Sequence, residues 1–164
     1  MYPAPDNLAP DFVLFDHAGR RFRLADRIGV GPTVLVFLRG HWCPYCRRYV
    51  QKITSRYSEF LQREAQIVAI SPEPPQTSAS FVRELQAPFP ILADIDGVVI
   101  DLFQTRNRFA ASRALMPHPA VFIIDKPGAI RLRSIDRDYR RRTTVRTILH
   151  ALDEIIAPQT NRVV

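Results

Sequence analysis

The sequence predicts an α/β protein, a single layered domain in which a mostly buried sheet is covered by amphipathic helices. Three observations predict it. The apolar runs Val34-Leu35-Val36-Phe37-Leu38, Ile67-Val68-Ala69-Ile70 and Ala120 to Ile124 have the length and continuity of strands buried on both faces. Segments with a 3.6-residue apolar period follow the first two runs and close the chain. Directly after the first run stands Trp42-Cys43-Pro44-Tyr45-Cys46, which contains both cysteines of the sequence.

The chain has 164 residues, of which 46% are hydrophobic and 24% charged, the balance of an ordinary globular domain. One domain is expected over residues 1–164, with irregular arms at 1–10 and 158–164. No apolar run reaches the roughly 18 residues of a membrane-spanning helix, and Met1 to Pro10 has no basic stretch leading into an apolar one. No membrane association is expected. A cytoplasmic location is the default, where a pair of thiols is kept reduced and cycling. The net charge is +7 and comes almost wholly from arginine, since Lys52 and Lys126 are the only lysines. The densest cluster is Arg137, Arg140, Arg141, Arg142 and Arg146. It reads as a solvated surface, the alternative being attraction of an acidic partner. Without interleaved aromatics or a recognition motif, nucleic acid is not an expected partner.

In chain order, Phe12 to Phe15 and Arg21 to Leu24 are expected as two short strands around a turn at Asp16-His17-Ala18-Gly19. Thr33 to Leu38 is the central strand. Arg47 to Glu64 is expected as one amphipathic helix, with Tyr49, Val50, Ile53, Tyr57, Phe60 and Leu61 inward. Ile67 to Ile70 forms the next strand, and Thr77 or Ser78 is expected to cap a helix running to Leu85. Phe89 to Leu92 is a short extended piece, Asp96 caps a brief helix, and Thr105 to Met116 is a loop. Ala120 to Ile124 and Ala129 to Ile135 pair around the turn Asp125-Lys126-Pro127-Gly128. Thr143 or Thr144 caps a last helix with Val145, Ile148, Leu149, Leu152, Ile155 and Ile156 inward, ended by Pro158. His17 is expected in solvent and His150 in packing.

The strand–Cys-x-x-Cys–helix arrangement is the setting of a redox dithiol. A free thiol has a pKa of about 8.5, and placing Cys43 at a helix start lowers it, because the unpaired N–H groups there favour negative charge. Pro44 suits the first helical position, where its missing N–H costs nothing. Cys46, about one turn deeper, is placed to attack a mixed disulfide on Cys43. Cys43 is thus expected to be the more exposed and reactive cysteine, with Cys46 resolving. A zinc site needs two further ligands, which His41 and His118 would have to supply without a second Cys-x-x-Cys. No metal is expected. A structural disulfide here closes too short a loop to stabilise much. His41, two residues before Cys43, reads either as a group that supports the thiolate or as a plain loop residue.

Several segments resemble a known family. Ala9-Pro10-Asp11-Phe12, Ile70-Ser71-Pro72-Glu73, Phe89-Pro90-Ile91-Leu92-Ala93-Asp94 and Phe122-Ile123-Ile124-Asp125-Lys126-Pro127-Gly128 are similar, in order, to motifs of peroxiredoxins of the alkyl hydroperoxide reductase/thiol-specific antioxidant group. Arg39-Gly40-His41-Trp42-Cys43-Pro44-Tyr45-Cys46-Arg47 resembles the segment of peroxiredoxin-like proteins that carry Cys-x-x-Cys. The resemblance implies a thioredoxin-like fold, with a central mixed sheet flanked by helices, an N-terminal β-hairpin and a peroxiredoxin-style insertion. It implies an antioxidant thiol-disulfide oxidoreductase that reduces disulfides or peroxides. Aligned with peroxiredoxins, Cys46 falls on the peroxidatic cysteine and Cys43 on the hydroxyl residue, while Pro119 replaces the active-site arginine. The alternative it implies is therefore a thiol peroxidase with Cys46 peroxidatic and Cys43 resolving. A non-enzymatic redox sensor or binding module is a third reading.

Trp42-Cys43-Pro44-Tyr45-Cys46 also resembles thioredoxin and glutaredoxin dithiols, and Pro119 stands where thioredoxin-fold oxidoreductases carry a cis-proline. That implies a cis bond before Pro119 and makes His118 a substrate-facing neighbour of Cys43. Proton transfer is expected through water, Glu73 or His41. No bound cofactor is expected. Electrons are to come from an external thiol, such as a thioredoxin or glutathione system, through a reducing partner protein or small thiol. A homodimer is compatible with the resemblance.

Overall fold

A computed structural model of the chain describes residues 7–110 and 115–157. Seven strands form one mixed sheet: β1 Val13–Asp16, β2 Arg21–Arg23, β3 Thr33–Phe37, β4 Gln66–Ser71, β5 Ile91–Ala93, β6 Ala120–Ile124 and β7 Ile130–Ile135. Their order is β2-β1-β5-β4-β3-β6-β7. β3 lies between β4, which is parallel to it, and β6, which is antiparallel; Leu35 is opposite Val68 on one side and Phe122 on the other. The β1–β2 hairpin packs antiparallel on β5. The helices are α1 Pro44–Ser55, α2 Tyr57–Leu61, α3 Pro75–Leu85, α4 Val98–Leu102 and α5 Val145–Ile156. No helix among the described residues is long and apolar enough to cross a membrane.

Strand alternation divides the core. Val34, Val36, Ile67, Ala69, Val121 and Ile123 turn to the face covered by α1, α3 and α5. Leu35, Phe37, Val68, Ile70 and Phe122 turn to the opposite face, against the hairpin and α4. There the rings of Phe37, Phe103 and Phe122 meet with centroids 5.1 to 5.7 Å apart, and Phe12 joins Phe103 at 5.9 Å.

The structure corrects several expectations from sequence. The expected helix over 47–64 is two helices, because the backbone leaves helical geometry at Arg56 (φ −117°, ψ 18°). The break resets the phase, so Phe60 stays buried while Leu61 is exposed and Tyr57 is half-buried. α3 begins at Pro75, before the expected Thr77 or Ser78, because a proline fits the first helical position. The carboxylate of Asp94, rather than Asp96, caps α4 by accepting from the N–H groups of Val99 (3.2 Å) and Ile100 (2.8 Å). Thr144 caps α5 as read, its hydroxyl accepting from the Thr147 N–H at 3.1 Å. Ile156 and His150 lie outward on α5, the latter facing Glu154 at 3.4 Å. His17 is half-buried, its Nδ1 accepting from the Ile91 N–H at 3.4 Å. Of the expected irregular arm at 1–10, residues 1–6 lie outside the described residues, as do 158–164 and part of the 105–116 loop, while Leu8 bridges to Ala129 and the Ala9 N–H donates to the Gly128 carbonyl at 2.9 Å.

Candidate active site

β3 delivers the chain to the site. Leu38 continues its pairing by donating to the Ile70 carbonyl at 2.9 Å, and Arg39 to Trp42 then turn the backbone into α1. Gly40 makes that turn possible. Its φ is +156°, and a Cβ there would collide with the Trp42 indole and lie 3.0 Å from Glu73 Oε1. The loop is fixed from the side by Glu73, whose Oε2 accepts from the His41 N–H at 2.9 Å and whose Oε1 meets His41 Nδ1 at 2.6 Å. His41 is thus paired with Glu73 rather than with a sulfur.

Cys43 is the N-cap of α1, with Pro44 at the first helical position as expected from sequence. Both cysteines are free thiols. Both are also buried, at 1% and 0% exposure, which corrects the expectation of an open Cys43. The cover is built by residues distant in sequence. Arg39 lies between the rings of Trp42 (4.9 Å) and Tyr139 (4.5 Å), and Tyr139 meets Tyr45 edge-on at 5.7 Å. From that position Arg39 Nη1 donates to Cys43 Sγ at 3.5 Å, while the Arg39 backbone N–H donates to Cys46 Sγ at 3.4 Å. Arg142, in the segment between β7 and α5, brings Nη2 to 3.1 Å from Cys46 Sγ and 4.0 Å from Cys43 Sγ. Its Nη1 donates to the carbonyls of Tyr139 (2.6 Å) and Arg141 (3.1 Å). Tyr49, one turn along α1, closes the same corner by donating to the Thr143 carbonyl at 2.6 Å.

The two sulfurs share one proton. The Cys46 thiol donates to Cys43 and is the largest influence in lowering the Cys43 pKa to about 5, against the cost of burial. The N–H groups of Cys46 and Tyr45 at the helix start and the Arg39 guanidinium add to the lowering. Cys46 is pushed up, first by that same bond and then by burial, with Arg142 opposing the rise. These influences favour the negative charge on Cys43 and the proton on Cys46. Two guanidinium groups around the sulfurs disfavour a divalent cation as well. Among the described residues no cluster of His, Cys, Asp and Glu is arranged to hold one.

Of the residues singled out in the sequence, Cys43, Cys46, Pro44 and Trp42 come together, the last through Arg39. Pro119 lies beside Arg142, Phe37 and Tyr49 in a small void behind the dithiol. No cis peptide occurs among the described residues, so the bond before Pro119 is trans, contrary to expectation. The flanking backbone is held by ordinary bonds: the His118 N–H donates to the Thr105 carbonyl at 2.7 Å, and the Asp136 N–H to the Pro119 carbonyl at 2.8 Å. His118 lines a different cavity, with Asp101, Asn107 and Arg137, and burial followed by repulsion from Arg137 and Arg39 lowers its pKa. Sequence reasoning missed Arg142, which it assigned to a solvated cluster, and the parts played by Arg39 and Tyr139.

A thiolate and a thiol at the start of the helix after a central strand, in a mixed sheet of this order, define a thiol-dependent oxidoreductase of thioredoxin-like architecture. The chain's particular lineage is also plain: the model of the AhpC/TSA family matches residues 5–133, and the chain belongs to that family. It is 31% identical over 131 residues to the thiol-disulfide oxidoreductase ResA of Geobacillus thermodenitrificans, covering 78% of this chain and 67% of ResA. It is 27% identical over 130 residues to chloroplastic peroxiredoxin Q of Populus jackii, covering 75% of this chain and 56% of that protein. Its structure resembles that of peroxidoxin BcpB from Mycobacterium tuberculosis with a TM-score of 0.80 at 25% identity, over 92% of this chain and 97% of the other. The fold is also that of peroxiredoxin 6 of Arenicola marina, with a TM-score of 0.83 at 18% identity, over 92% and 72% of the two chains.

Proposed function

We propose that the chain is a thiol-disulfide oxidoreductase in which Cys43 is the attacking nucleophile and Cys46 the resolving thiol. The observation that carries the reading is the place of Cys43 as the N-cap of α1, with Arg39 Nη1 3.5 Å from its sulfur and Cys46 one turn deeper in the helix. The Cys43 thiolate attacks one sulfur of a substrate disulfide, forming a mixed disulfide and releasing the other sulfur as a thiolate. Cys46 then gives up its proton and attacks Cys43 Sγ, forming the Cys43–Cys46 disulfide and freeing the second substrate thiol. Two electrons pass from the dithiol to the substrate. An external thiol, of the thioredoxin or glutathione kind, restores the dithiol, which fits an antioxidant role in a reducing, cytoplasmic compartment. The experiment is single-turnover reduction of a neutral model disulfide. Cys43→Ser should be inert and Cys46→Ser should stop at a mixed disulfide on Cys43. A Cys43→Ser protein that reacts as fast as wild type sinks the assignment.

A second reading has its own observation. Cys46 Sγ receives both the Arg39 N–H and the Arg142 guanidinium, an arrangement suited to an attacking thiolate and a developing oxyanion. In that case the Cys46 thiolate attacks one oxygen of a peroxide, breaking the O–O bond, and becomes a sulfenic acid, releasing hydroxide or alkoxide. Cys43 then expels water to close the disulfide. Sulfenate trapping after brief peroxide exposure separates the readings: label on Cys46 in Cys43→Ser favours the peroxidase, and label confined to Cys43 in Cys46→Ser excludes it.

A further inference from the structure

Beside the dithiol, between α1 and the first turn of α5, lies a cavity of about 910 Å³. Its lining carries eight cationic side chains and a single carboxylate, that of Asp136. Arg56, Arg140 and Arg141 already face acidic neighbours, Glu59 for the first and Asp138 for the other two. Arg48, Lys52 and Arg146 have no carboxylate partner among the described residues, so three cations converge on one hollow without neutralisation. The α5 N-terminus, capped by Thr144, opens on the same space and adds its positive end. The walls are not only charged: Tyr45, Tyr49, Leu132 and Val145 supply apolar surface.

Arg142 joins this cavity to the sulfurs. It lines the cavity while Nη2 contacts Cys46, and its buried Nε has no hydrogen-bond partner among the described residues. Arg142 therefore carries a donor free to bond an anion once the side chain shifts, on the side chain that helps cover the dithiol. Drawing that guanidinium toward the anion would uncover the sulfurs that are closed in this structure.

We propose that this cavity binds the anionic groups of a small polyanionic disulfide and that Arg142 couples its binding to exposure of Cys43 and Cys46. The inference rests on the thiol-disulfide reading above and names the substrate class for it. Bound there, the disulfide takes two electrons from the dithiol. Cys43 and Cys46 close their disulfide, and the substrate leaves as one thiolate and one thiol, the thiol carrying the proton that Cys46 gives up.

Single-turnover kinetics of the reduced full chain test it with two probes. One is 5,5′-dithiobis(2-nitrobenzoate), which carries two carboxylates; the other is neutral 4,4′-dithiodipyridine. In Arg48→Glu and Lys52→Glu, the ratio of the dianion's rate constant to the neutral probe's should fall at least tenfold. Arg83→Glu, an equal charge reversal on α3, should leave that ratio within about twofold of wild type. Equal loss in all three variants would mean that net charge steers the dianion, and an unchanged ratio in Arg48→Glu and Lys52→Glu would mean that the cavity takes no part; either overturns the inference. If wild type reacts with neither probe, the thiol-disulfide reading itself fails, which is a different result.

Discussion

The guanidinium of Arg142 lies 3.1 Å from Cys46 Sγ although 96 positions separate the two residues. The family alignment looks for an arginine just before β6 and finds Pro119. The fold supplies the cation by another route, through the segment between β7 and α5, which passes over the N-terminus of α1. Arg142→Met keeps most of the stem and removes the charge that opposes the rise of the Cys46 pKa. Less Cys46 thiolate is then available for resolution. The second step of a single turnover should slow by about tenfold, as a pKa rise of about one unit requires. The measurement is the delay between release of the first and second thiol of a neutral disulfide. Equal release rates in wild type and Arg142→Met would mean that the guanidinium only covers the pair.

Ultraviolet absorbance near 240 nm reports the thiolate directly. The reduced protein should show one thiolate titrating near pH 5, and Cys43→Ser should lose it. The sign for stability follows from the lowered value: the folded form binds this proton less tightly than the unfolded chain, whose thiol stays near 9.0. The stabilisation is complete above the unfolded value and is lost as pH falls through about 5. The difference in urea midpoint between reduced wild type and Cys43→Ser should therefore widen from pH 5 to pH 8. A difference independent of pH would place the negative charge elsewhere.

Arg39 reaches Cys43 from between the rings of Trp42 and Tyr139, its Nε also donating to Met116 Sδ at 3.4 Å. Arg39→Met should raise the Cys43 midpoint by about one unit, the usual scale for losing a neighbouring cation. Gly40→Ala should raise it as well, since the new Cβ displaces the Trp42 ring on which Arg39 rests. Thiolate titration of both variants checks this. An unmoved midpoint in Gly40→Ala would show that Arg39 holds its place without the indole.

Much of this was legible in the sequence, for local reasons. The apolar runs marked β3, β4 and β6 because strands buried on both faces need no polar alternation. Cys43, Pro44 and Thr144 marked helix starts because capping depends on residue type at one position. The failures were of two physical kinds. Backbone breaks without proline or glycine, such as that at Arg56, leave no compositional trace, so Leu61 was read as inward although it is exposed. Contacts between distant segments leave none either. Arg142 stands among arginines that face solvent, and nothing in its neighbours distinguishes it. Only the path of the chain after β7 brings it to the sulfurs. The openness of Cys43 failed likewise, because helix position sets its electrostatics but Tyr139 and Arg142 set its cover.

Asp94 offers a test of the scaffold apart from the sulfurs. It is buried, and its carboxylate caps α4 through the N–H groups of Val99 and Ile100. Burial pushes its pKa up, with those N–H groups opposing the rise. Asp94→Ala leaves both donors without a partner and should cost about 1–3 kcal/mol. Asp94→Asn keeps a carbonyl oxygen for Ile100 and removes the charge, so it should cost less. The pH dependence follows from the raised value. The folded state holds this proton more tightly than the unfolded chain, so the favourable contribution is present below 3.8 and is lost as pH rises through the folded value. Asn does not titrate. The stability advantage of wild type over Asp94→Asn, read from urea midpoints, should therefore shrink between pH 4 and pH 7. If the advantage grows instead, the capping N–H groups outweigh burial, and the ionised carboxylate is the form the fold prefers.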